Sequence, residues 1–233
     1  MNKGLLATTA LAGLMMIVSN DRPAVAQTPI AAATETVLLP ETVTGDYAVW
    51  IDRIAKLRST LEDNGGFLRL KGDLVDLLVF DREAGKKLLL GRYQSSLESA
   101  AVAMPADFFS PLDRELDALW AEIDRLAPQY TLPAGTTPRP ANLAALVAQR
   151  LKGIAPDAEV VQTVMLEEKM AYGKNRSGVA VSRRATGLIL YKVPGLHYAI
   201  CREFVMQRAV AGSGATANNC DVTFGGVRIQ AES

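Results

Sequence analysis

Apolar residues in the first half of the chain recur at helical spacing, whereas in the second half they alternate. Tyr47, Trp50, Ile51, Ile54, Leu57 and Leu61 fall on one face of a helix. Thr44 is placed to cap it, Asp46 favours the positive end of its dipole, and Asp63-Asn64-Gly65-Gly66 ends it with residues that accept positive φ. Leu112, Leu116, Leu119, Trp120, Ile123 and Leu126 form the strongest stripe. Ser110 is its expected cap and Pro111 opens the first turn. Asp113, Glu115, Asp117, Glu122 and Asp124 load its outer surface. Leu143, Leu146, Val147 and Leu151 predict a short helix stopped by Gly153. Phe67 to Ala103 reads as two helices, with a hairpin at Lys71-Gly72-Asp73 as the competing assignment.

Beyond Pro156 the residues become β-prone. Val160 to Leu166, Val179 to Val181 and Leu188 to Tyr191 predict three strands. Strict alternation from Tyr198 to Met206 puts Tyr198, Ile200, Arg202, Phe204 and Met206 on one face. Ala199, Cys201, Glu203 and Val205 take the other. Cys220 to Gln230 alternates again around a Gly225-Gly226 break suited to a bulge. Helices segregated from strands predict an α+β fold: four to five helices, then a C-terminal antiparallel sheet with one disulfide. The expected divisions are a helical domain at 45–127, a proline-rich linker or loop at 128–140, a short helix at 141–153 and a β domain at 157–233.

The N-terminus changes the picture by suggesting an address. Lys3 precedes an uncharged run from Gly4 to Val18, and Ala24-Val25-Ala26 offers a peptidase its small-x-small pattern. Residues 1–26 therefore read as a signal peptide and 27–44 as a flexible tail, for a periplasmic or secreted protein. The apolar run is shorter than the roughly 18 to 20 residues of a membrane-spanning helix. Charge adds little at the level of the whole chain, because 25 basic and 25 acidic side chains cancel. That balance gives no general pull toward nucleic acid. In an exported chain, two cysteines predict a Cys201–Cys220 disulfide across the final hairpin.

Candidate chemistry is sparse. His197 is the single histidine, which excludes HExxH and multi-histidine metal sites and leaves one base for any serine triad. Its place after Pro194-Gly195-Leu196 marks it as a turn residue. Gly212-Ser213-Gly214-Ala215-Thr216-Ala217 matches G-x-G-x-x-A but opens no helix that could hold a pyrophosphate, so no cofactor is expected. Glu167-Glu168 could belong to a carboxylate pair. One stretch is lopsided: Lys169, Lys174, Arg176, Arg183 and Arg184 lie between residues 169 and 186 with no acid. Lys174, Arg176, Arg183 and Arg184 are the candidate anion- or partner-binding residues, set on or beside an expected hairpin tip around Tyr172 to Gly178. Two plainer roles compete: discouraging edge pairing, and docking on the acidic helix of residues 112–126. The expectation is a non-enzymatic binding, adaptor or assembly protein of a bacterial envelope, with a protein or envelope component as partner. The alternative is a carboxylate-dependent envelope hydrolase, for example one that cleaves glycans.

Overall fold

The computed structural model describes residues 38–69, 73–135, 142–166, 171–210 and 220–231. The expected signal peptide, most of the expected tail, Lys169, the Glu167-Glu168 pair, the G-x-G-x-x-A match and residues 71–72 of the competing hairpin turn lie outside these residues. Among the described residues, five α-helices come first: α1 (Glu41–Thr60), α2 (Asp73–Phe80), α3 (Arg82–Ala100), α4 (Ser110–Leu126) and α5 (Leu143–Lys152). Five strands follow: β1 (Glu159–Met165), β2 (Ala171–Lys174), β3 (Ala180–Lys192), β4 (Ala199–Ala209) and β5 (Cys220–Gln230). All pairings are antiparallel, in the order β1-β3-β4-β5, with β2 also on β3.

The helix starts differ from expectation for a tertiary reason. α1 begins at Glu41, so Thr44 sits inside it and its hydroxyl donates back to the Glu41 carbonyl at 3.2 Å. No side chain caps α4 at its own N-cap, Phe109. Instead the Tyr47 hydroxyl of α1 accepts the Leu112 N–H at 3.3 Å and donates to the Phe108 carbonyl at 2.7 Å. A side chain from another helix thus satisfies a free donor of the first turn, and Ser110 becomes the first helical residue. Asp81, between α2 and α3, is a true cap, accepting from the Ala84 N–H at 2.9 Å.

The sheet is covered on both sides, which explains the unbroken apolar run Leu188-Ile189-Leu190-Tyr191. Ile189 and Tyr191 join Ile200, Phe204, Met206 and Val227 in a core closed by Leu143, Val147 and Leu151 of α5. Leu188 and Leu190 join Ala199, Cys201 and Val164 on the opposite face, under Phe67 and Leu132. The helix core of Tyr47, Trp50, Ile54, Leu89, Leu116, Leu119 and Ile123 includes Ile229 of β5, and Phe80 of α2 packs against the α5 core. Val179–Val181 and Leu188–Tyr191, expected as separate strands, are contained in one continuous run: Val179 precedes the thirteen-residue β3, which holds the rest. Gly187 sits mid-way along β3, where a Cβ would collide with the Phe204 ring and the Val164 carbonyl. Gly225 and Gly226 both lie opposite Glu203, where the β4–β5 register shifts.

The expected disulfide is overturned. Cys201 lies opposite Arg228 and Cys220 opposite Arg208, at the two ends of the β4–β5 hairpin. Roughly seven rungs separate them, or about 23 Å at ~3.3 Å per residue. A disulfide needs Cα atoms within about 7 Å. Cys201 is instead a free, buried thiol. The fold is therefore helices followed by an antiparallel sheet that no disulfide staples.

Candidate functional site

The basic stretch maps to one end of the sheet. β2 and β3 make a hairpin through Asn175–Gly178, and the turn is tightly specified. The Asn175 Oδ1 accepts the N–H groups of Ser177 at 3.0 Å and Val179 at 2.9 Å. The Asn175 carbonyl accepts from Gly178 at 3.0 Å, and Gly178 has φ +79°. This fixed tip presents Lys174 and Arg176, both exposed.

Behind the tip, register decides which cations meet. Tyr172 lies opposite Arg183, and Arg183 lies opposite Arg208. The three form one row across β2, β3 and β4, with the Arg183 guanidinium 5.3 Å from the Tyr172 ring centre. Arg184 points to the other face, level with Ala171 and Gln207. Of the four sequence candidates, Lys174, Arg176, Arg183 and Arg184, the structure gathers all at this end but divides them between both faces and the tip. Arg208 belongs with them and was missed. Its signal was present in the alternation, which continues from Phe204 and Met206 to place Arg208 on the Arg183 side.

Directly opposed like charges destabilise a sheet, so the environment of the row matters. Among the described residues, Lys174, Arg176, Arg183, Arg184 and Arg208 make no ion pair, and all five are exposed. The acid nearest in register, Asp221 opposite Gln207, is engaged by Arg150 of α5 at 3.4 Å. Docking on the acidic helix is also overturned. Asp113 pairs with Lys86 at 2.9 Å, Glu115 with Arg58 at 3.2 Å, Asp117 with Arg82 at 2.6 Å and Glu122 with Arg125 at 2.6 Å. Asp124 accepts the Tyr198 hydroxyl at 2.5 Å. The Arg125 guanidinium holds the Glu122 carboxyl below its usual range, while its hydrogen bond to Asp113 holds the Lys86 ammonium above.

The opposite end of the sheet also carries a cation, used differently. Arg228 is 7% exposed, between the rings of Phe67 at 4.8 Å and Tyr130 at 5.1 Å. Its Nη2 donates to the Thr131 carbonyl at 3.0 Å and the Gln230 Oε1 at 3.2 Å, and lies 3.9 Å from the Cys201 Sγ. Burial pushes the Cys201 thiol up to about 11, against the opposing pull of Arg228. A thiol held protonated is a poor nucleophile.

Other candidates stay apart from this chemistry. His197 lies exposed in the bend before β4. A groove of about 640 Å³ along the outside of α3 holds one carboxylate, Glu98, and a groove of about 610 Å³ between α5 and β5 holds none. Among the described residues, no cluster of His, Cys, Asp and Glu could hold a metal, and no helix is long and apolar enough to cross a membrane. Comparison with known families, curated proteins and solved structures gave no match. The residues of the site therefore carry the functional reading alone.

Proposed function

We propose that this chain is an exported component of a bacterial envelope that binds an anionic partner through the β2–β3 end of its sheet, in a binding, adaptor or assembly role. One observation carries the reading: Arg183 and Arg208 face each other across adjacent strands, exposed, with no anion from the described residues between them. Two cations directly opposed destabilise a sheet, and local conflicts of this kind concentrate at functional sites. An external phosphate or carboxylate relieves this one, because guanidinium groups grip both in bidentate fashion. Export rests on the leader alone, since the cysteines no longer speak for an oxidising compartment.

Two measurements test the proposal. Titration with inorganic polyphosphate should show binding that weakens steeply with salt and is lost in Arg183→Glu/Arg208→Glu. Salt-independent binding, or none, overturns the anion reading. Fractionation and N-terminal sequencing should find the protein outside the cytoplasm beginning at Gln27. A cytoplasmic protein that retains Met1 overturns the export reading.

A further inference from the structure

We infer that the anion recognised by this end of the sheet is an anionic phospholipid surface, a reading that rests on the anion binding proposed above. Two observations separate a bilayer from a soluble anion.

The first is apolar. Tyr172 is 54% exposed and Val179 is 58% exposed, on the two arms of the hairpin that presents Lys174 and Arg176. A soluble phosphate makes no use of exposed apolar side chains. A headgroup layer does, because hydrocarbon lies just beneath its charges. Tyrosine belongs at that boundary, with an apolar ring and a polar tip. Arg183 against the Tyr172 ring keeps a cation beside the inserting group.

The second is the distribution of charge. Arg183 and Arg208 lie on one face of the sheet, Arg184 on the other, and Arg176 at the turn. No concave pocket could collect all of these. A plane met end-on by the hairpin could, since residues of both faces then approach it together. The hydrogen-bonded Asn175 turn holds the tip in shape for such a contact. The attractions of several exposed basic residues to an anionic membrane add, which gives strong, salt-sensitive attachment.

The test is flotation of the full chain with vesicles of phosphatidylcholine alone or containing phosphatidylglycerol at about 30%. Residues 1–26 are common to every variant, so the change that a substitution makes in the difference between the two vesicle types reads the sheet end. Binding to the anionic vesicles should be at least about tenfold tighter and should collapse toward the neutral value in 0.5 M salt. Arg183→Glu/Arg208→Glu should abolish the difference. Val179→Ser should weaken vesicle binding several-fold and leave polyphosphate binding unchanged. Equal binding to both vesicles, with polyphosphate binding intact, overturns the lipid assignment and spares the anion reading. So does a Val179→Ser variant that floats like the parent, or an oligonucleotide that binds more tightly than the anionic vesicles. Binding to neither vesicles nor polyphosphate overturns both.

Discussion

Arg228 and the Arg183–Arg208 pair occupy opposite ends of one sheet and show two uses of the same side chain. Arg228 is sealed between Phe67 and Tyr130 and spends its hydrogen bonds on the Thr131 carbonyl and Gln230. It ties the segment after α4 to the sheet. Arg183 and Arg208 face water and each other, with no internal acid among the described residues. A buried cation must be satisfied from within, because desolvation is costly. An exposed one need not be, so its lack of a partner is informative only where it costs the fold something. Here two like charges stand directly opposed.

This contrast can be broken at either end. Arg228→Ala should cost about 3 kcal/mol in urea denaturation, because it leaves Gln230 and the Thr131 carbonyl unpaired and opens a cavity. Arg183→Thr/Arg208→Thr should cost nothing. Equal losses at the two ends would remove the distinction. The buried end should also respond to alkali. The folded Cys201 thiol keeps its proton to about pH 11, whereas an ordinary thiol loses it near 9.0. Its contribution is whole below pH 9 and declines as pH rises to 11, by roughly 3 kcal/mol. Denaturation at stepped pH should show that decline in the parent and less of it in Cys201→Ala. In the native protein, Cys201 should resist thiol reagents until it unfolds.

Gly187 lies between the ends, and Gly187→Ala should destabilise by about 2 kcal/mol through its clash with Phe204. It should leave polyphosphate affinity unchanged, because the row at Arg183 is a separate feature; thermal melting and titration together check this. The smallest effect is the most pointed. Arg208→Thr should raise stability by a few tenths of a kcal/mol at low salt, and the gain should shrink as salt screens the repulsion. Lower stability in this variant would mean that Arg208 has a structural partner.

Much of the architecture was legible because it is local. The stripe from Leu112 to Leu126 reports α4, and the alternation from Tyr198 to Met206 reports β4, because each period follows from backbone geometry. The caps were less legible: α4 takes its donor's partner from Tyr47, 65 residues before Leu112. The disulfide failed on register. In an antiparallel hairpin the first residue of one strand meets the last of the other, so pairing β4 with β5 sends Cys201 toward Arg228. The same counting would have found Arg208 opposite Arg183, had the long β3 been recognised as one strand. The polar stretch Ser182-Arg183-Arg184 between the two apolar runs carries no β signal of its own, because Arg183 and Arg184 are exposed at this end of β3.

The amino-acid sequence by itself determined the order of helices and strands, the apolar faces and the concentration of cations near residue 180. Those properties depend on neighbours within a few positions. Tertiary structure decided that the two cysteines lie far apart, that the acids of α4 are consumed by Arg58, Arg82, Lys86, Arg125 and Tyr198, and that Tyr172, Arg183 and Arg208 stand in one row. Each of these depends on how distant segments are brought together, and the row above all on how strands slide against one another. A shift of a single residue would turn every side chain to the other face, and only packing on both sides of the sheet holds the register in place.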